Sequence, residues 1–227
     1  ADFVFVPMLR SLPATPGQPV STVCPIVQAG PNLLQGVVDA TVNGSGPRLL
    51  APVMNFGQGG LDSVKFVADC EQLGAQLGVS AGQSRQAWQA GVRAQRAFET
   101  ECLHLGERAL AFCHEHRVLP IVVLGRAYTI YNTTLNSNVP AIVREQGAIP
   151  IPMDCYPVAD TAPVFPSLYW GYSQSVLRAA HQIRRTDGVY ALYCSNYSCG
   201  PDSFSLHFTA FVLEGKPFAV IETDGHS

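Results

Sequence analysis

Charge is scarce in this chain, and so are long apolar runs. Of its 227 residues only 14% are Asp, Glu, Lys or Arg, and the net charge is −3. With 14 basic residues against 17 acidic ones, neither nucleic acid nor an anionic membrane surface is an expected partner. No apolar stretch approaches the roughly 20 residues that a spanning helix needs. No basic segment followed by an apolar one opens the chain, so no signal peptide is read and a cytoplasmic location is expected. The sequence begins directly in the strand-like ADFVFVP and stops at TDGHS. Both ends read as cut from a longer polypeptide.

Several catalytic signatures are also missing. Gly57-Gln58-Gly59-Gly60 follows a strand-like run and could approach a phosphate. It lacks the full dinucleotide fingerprint and a Walker lysine. Ser195 and Ser203 have no His and Asp in a known arrangement, which excludes a serine hydrolase. His104, His114 and His116 fall on one long helical stretch. Residues two apart point to different helix faces, so His114, Glu115 and His116 read as polar residues on the helix's solvent side. The seven cysteines are odd in number and irregular in spacing. Without an export signal they read as free thiols or metal ligands rather than a disulfide framework.

What is present is apolar content of 47%, enough for a sizeable core in one large or two small domains. Short apolar runs alternate with longer amphipathic ones. Strands are expected at 2–7, 49–56, 119–124, 148–153, 189–193 and 217–222. Helices are expected from Cys24-Pro25 towards 38, and over 61–77, 80–117, 138–147, 168–185 and from Cys199 onward. Proline suits the first helical position, where its missing N–H costs nothing. Strands separated by helices imply a parallel sheet. The fold class is therefore α/β, with two Rossmann- or flavodoxin-like lobes of mostly parallel sheet joined by a long helix. The first lobe spans 1–79, the connecting helix 80–117 and the second lobe 118–227.

Such sheets bind ligands at the carboxyl ends of their strands, and four cysteines are expected there. Cys24 and Cys199 each precede a helix, where free N–H groups and the dipole favour thiolate. Cys155 comes just after the strand ending at Met153, and Cys194 closes the next one. Thiolate binds iron, and the four could converge. Cys70, Cys102 and Cys113 lie within helical stretches and read as core packing. Arg126 follows a strand and could hold a phosphate, carboxylate or CoA group. Zinc at Cys194 and Cys199 lacks a second pair at matching spacing.

Ordered segments then carry a resemblance. Leu124-Gly125-Arg126-Ala127-Tyr128-Thr129-Ile130-Tyr131 resembles the "LGRPYxxY" of CoA enzyme activase-related proteins. Leu135-Asn136-Ser137-Asn138-Val139-Pro140 is similar to their "LNxxIP", and Ile151-Pro152-Met153-Asp154 to their next strand end. Tyr169-Trp170-Gly171-Tyr172-Ser173-Gln174 looks like their "YWxxGQ". Residues 195–204 resemble "NFxCGPDSF", and 221–227 resemble "IExDxHS". Near the start, Cys24-Pro25-Ile26-Val27-Gln28 looks like "CPxxQ". Residues 61–117 carry no such segment. Ala127 replaces the usual proline, Gly225 an acidic residue, and Cys155 matches no family ligand.

The resemblance implies kinship with the cluster-bearing subunits of 2-hydroxyacyl-CoA dehydratases and benzoyl-CoA reductases of anaerobic metabolism. In those, cysteines hold a [4Fe–4S] or double-cubane iron–sulfur cluster. A separate ATP-dependent activator domain or subunit injects a low-potential electron. It implies Cys24 and Cys199 as metal and cofactor ligands, and Arg126 and Tyr128 as residues of the substrate cleft. Cys155 and Cys194 stand as further candidates by strand position alone. Ser198 and Asn196 are candidate donors to cluster sulfur, and Asp202 and Ser203 candidate helix caps. The expected function is electron relay from the activator to an acyl-CoA-type substrate. The alternative is a non-catalytic docking or ligand-binding domain without a bound cluster. No ATPase fingerprint occurs, and the piece alone is expected to be inactive.

Overall fold

The protein is described here by a computed structural model covering residues 3–42, 47–197 and 199–223. It divides into two units, 1–94 with 165–171, and 95–164 with 172–227. Asp2 of the first expected strand, Ser198 and the closing residues 224–227 lie outside the described residues.

The first unit starts with two short strands, β1 (Phe3–Phe5) and β2 (Met8–Ser11), and continues into helix α1 (Pro25–Val42). Strands β3 (Arg48–Leu50) and β4 (Val53–Asn55) follow, then a 3-10 turn at Gly60–Asp62 and helix α2 (Val64–Gln76). β1 pairs with β3 and β2 with β4, both in parallel. The sequence suggests two continuous strands here, but each is interrupted. Pro7 and Pro52 mark the breaks, since proline offers no N–H to a ladder. Single hydrogen bonds, Val6 N–H to Leu50 O and Met8 N–H to Pro52 O, each 2.8 Å, carry the pairing across.

Ser63 caps α2 by accepting from the Phe66 amide at 3.0 Å. Asp69 on that helix is buried and accepts from the Asn55 amide at 2.9 Å, which ties α2 to β4. Segment 165–171 joins this unit through Thr22, whose N–H donates to Tyr169 O at 2.7 Å and whose O accepts from Gly171 N–H at 3.1 Å.

Helix α3 (Ala81–His116) is a single 36-residue element, as its Ala-, Gln- and Arg-rich helical pattern implies. The second unit continues with β5 (Leu119–Leu124), the short α4 (Ala127–Ile130), α5 (Val139–Glu145) and β6 (Ala148–Pro152). A 3-10 turn at Met153–Cys155, α6 (Gly171–Arg184), β7 (Tyr190–Asn196), α7 (Gly200–Val212) and β8 (Phe218–Thr223) complete it.

These four strands form one parallel sheet in the order β6-β5-β7-β8. Val122, Val123 and Leu124 of β5 and Ala191 to Cys194 of β7 are buried. So are Val176, Leu177, Ala179, Ala180 and Ile183 of α6. Parallel strands joined through helices give the mixed α/β class expected of a Rossmann- or flavodoxin-like fold. No helix among the described residues is long and apolar enough to cross a membrane.

Strand order decides where a ligand can sit. From β5 the chain moves outward to β6, then crosses to β7 on the opposite side of β5. The connections leaving β5 and β7 therefore diverge, which makes the carboxyl ends of these two strands the switch point of the sheet, the place where open α/β sheets bind ligands.

Candidate functional site

The last paired residues of β5 and β7 are Leu124 and Tyr193. Gly125 comes next with φ +151°, and a Cβ there would lie 2.5 Å from Cys194 O. Glycine alone lets the β5 loop pass this close to β7. The loop delivers Arg126, whose Nη2 donates to Asp202 Oδ2 at 2.8 Å. Both residues are buried, with exposures of 6% and 4%. The same Asp202 oxygen accepts from Ser195 Oγ at 2.9 Å.

Burial disfavours the Arg126 cation most strongly of any single cause, but the Asp202 carboxylate together with Tyr128, Cys199 and Tyr193 outweighs it, so its pKa is raised. Its Cζ lies 4.8 Å from the centre of the Tyr128 ring, a cation–π distance. Arg126 Nε is buried and finds no hydrogen-bond partner among the described residues.

A second layer braces the loop. Thr129 Oγ1 donates to Asn196 Oδ1 at 2.6 Å. Asn196 Nδ2 donates to Leu135 O at 3.2 Å and to Thr223 O at 3.1 Å. Both of its amide hydrogens are thus engaged, so Asn196 is not free to donate to a cluster sulfur. Asn136 Nδ2 donates to Ile130 O at 2.9 Å, and its Oδ1 is buried without a partner among the described residues.

Cys199 is half-buried at the N-cap of α7 and makes no capping hydrogen bond of ordinary length. The sequence suggests a stabilised thiolate there. Instead its pKa is raised, first by burial; the Asp202 amide and Arg126 oppose the shift and the Asp202 carboxylate adds to it. Neither suggested cap acts through its side chain. Asp202 is taken by Arg126 and Ser195, and Ser203 Oγ donates to Cys199 O at 2.8 Å.

Cys194 does not close β7, because the strand runs on to Asn196. Its side chain is fully buried; burial raises its pKa, and a hydrogen bond with Thr223 opposes this. Cys155, also buried, hydrogen bonds with Cys102 and Tyr131. Burial, with Cys102 beside it, pushes the Cys155 thiol up to about 11. Tyr131 in turn hydrogen bonds with Asp154, whose pKa burial and Glu99 raise against that bond. Tyr172 feels both clusters: burial and Asp154 raise its pKa while Arg126 lowers it. It meets Tyr128 edge to face, with ring centres 6.3 Å apart.

Cys24 belongs to the first unit, half-buried directly before α1, where its carbonyl accepts the first helical bond from Gln28 at 3.1 Å. The Gly57 amide of the glycine-rich turn donates to Ser11 Oγ at 3.3 Å and Asn55 Oδ1 at 3.2 Å. It is not free for a phosphate. His104, His114 and His116 are exposed on α3.

Nowhere among the described residues do three or more His, Cys, Asp or Glu side chains gather as a metal-binding group. In the second unit Cys102 and Cys155 pair with each other, Cys194 faces Thr223, and Cys199 faces Asp202. An iron–sulfur cluster is normally held by four thiolates. The donor set of this unit does not fit one.

Parallel strands joined through helices define the mixed α/β class. Within that class residues 1–156 match the family described as the CoA enzyme activase uncharacterised domain. This chain belongs to that family. No curated protein and no solved structure matches it.

Proposed function

We propose that the chain is a ligand-binding domain of a CoA enzyme activase-related protein. Its switch point takes an acyl-CoA-type small molecule. The observation carrying this reading is the buried Arg126–Asp202 pair at the carboxyl ends of β5 and β7. It fixes the β5 loop against α7 while leaving Arg126 Nε unpartnered. Tyr128, 41% exposed beside that cation, presents its ring at the surface there. The family description supports a CoA enzyme as the protein's wider partner. An ATP-dependent activator domain or subunit, in the cytoplasm, is the partner proposed here.

A second reading keeps the iron–sulfur relay. Cys199, half-buried at a helix N-cap beside the switch point, is the feature that favours it. Cys199 would then supply one ligand, with Cys155 and Cys194 of the same unit as further candidates. The remaining ligands would come from other chains or segments.

Purification without oxygen, with assay of iron and acid-labile sulfide, separates the two. The first reading predicts a colourless protein that binds acetyl-CoA in a calorimetric titration. Tyr128→Ala, at a part-exposed position, weakens that binding several-fold with the fold intact. Stoichiometric iron and sulfide that Cys199→Ala removes would favour the second reading instead. Absence of acetyl-CoA binding, or equal binding by Tyr128→Ala, would contradict the first.

A further inference from the structure

Two thiols outside the proposed site meet in the second unit. Cys102 lies on α3 and Cys155 in the 3-10 turn after β6. They are buried, with exposures of 7% and 9%, and hydrogen bond to each other. The helix geometry places them together independently. Gly106 lies one turn after Cys102 on the same face of α3. A Cβ on Gly106 would lie 1.6 Å from Cys155 O, so α3 touches the backbone of the turn itself. Residue 106 has no side chain to hold the two elements apart.

We propose that Cys102 and Cys155 form a reversible disulfide pair, closed by exchange with a small-molecule disulfide of the glutathione type. The Cys155 thiolate, its proton lost to solvent, attacks one sulfur of oxidised glutathione. That S–S bond breaks and one glutathione thiolate leaves. The Cys102 thiolate then attacks the Cys155 sulfur of the mixed disulfide and expels the second glutathione. The protein loses two protons and two electrons, and one oxidised glutathione becomes two reduced ones.

Closure would tie α3 to the turn after β6. It would also turn the Cys155 sulfur, which accepts from the Tyr131 hydroxyl, from a thiol into a disulfide sulfur. Tyr131 then keeps Asp154 as its hydrogen-bond partner, so the redox state of the pair is read at the carboxyl edge of β6. Because thiolate is the attacking form, closure is slow near neutrality and quickens as pH rises towards the raised pKa of Cys155.

The test incubates the whole chain with oxidised glutathione in mildly alkaline buffer, then maps its peptides without reduction. The expected result is a Cys102–Cys155 linkage, a mass lower by two hydrogens, and reversal by dithiothreitol. The closed form should melt at a higher temperature than the reduced one. Cys102→Ser should instead hold glutathione on Cys155 and show no gain in melting temperature. Circular dichroism of the variant confirms that it is folded. Recovery of both Cys102 and Cys155 as free thiols, while other cysteines carry glutathione, overturns the proposal. Linkage of either one to a different cysteine overturns it as well.

Discussion

At the residue scale, Arg126 and Asp202 hold the loop after β5 against α7. Each is buried, and each depends on the other for its charge to be tolerable there. Removing one partner of a buried ion pair typically costs about 3–5 kcal/mol, because the remaining charge stays desolvated. Asp202→Ala should therefore lower stability by about that much in urea unfolding; Ser195 would lose its acceptor in the same step. Replacing both members by apolar residues of similar volume should recover much of the loss.

Cys155 gives a pH dependence of known sign. Its pKa in the fold is raised from 9.0 to about 11, so the fold favours the neutral thiol. The stabilisation it contributes is complete below about 9 and disappears as pH rises through about 11. Stability measured across that range should fall, and in Cys155→Ser the fall should be shallower. None of this was legible residue by residue. The sequence marks Arg126 as a loop cation and Asp202 as a helix cap, 76 positions apart. Cys102 inside a helical stretch looks like ordinary packing. Only the tertiary fold gives these residues their partners.

At the scale of elements, much could be read directly. β5 is a near-continuous branched apolar run, and it is a central strand buried along most of its length. α7 begins where Cys199-Gly200-Pro201 implies, with Pro201 in the first turn. The first unit was less legible, since its strands are short and proline breaks them. α4 was missed: four residues are too few to show a helical period.

Gly106 supplies the element-scale prediction. Gly106→Ala improves intrinsic helix propensity by up to roughly 1 kcal/mol. Yet its Cβ would collide with the carbonyl of Cys155. Overpacking of this kind costs about 1–3 kcal/mol, and here the obstacle is backbone that cannot swing aside. Gly106→Ala should therefore lower the thermal midpoint despite its better propensity. Gly91→Ala on the same helix, where an added Cβ meets nothing within 4 Å, should not.

At the scale of the whole molecule, the place of the proposed site follows from topology and not from composition. Alternating strands and helices already implied a parallel sheet, and the order β6-β5-β7-β8 adds the switch point between β5 and β7. The cysteines were expected to mark the functional centre, because four of them fall near strand ends or helix starts. In the second unit they divide instead into a pair, a buried strand residue and one helix cap. Sequence position gives no direction to a side chain, and direction is what ligation requires.

The central claim is that an acyl-CoA-type ligand sits at the carboxyl ends of β5 and β7. Hydrogen exchange of the whole chain, with and without saturating acetyl-CoA, tests it most directly. The account predicts added protection concentrated in residues 125–131 and 199–203. Protection elsewhere in the chain with none in these two segments, or no change at all, would contradict it.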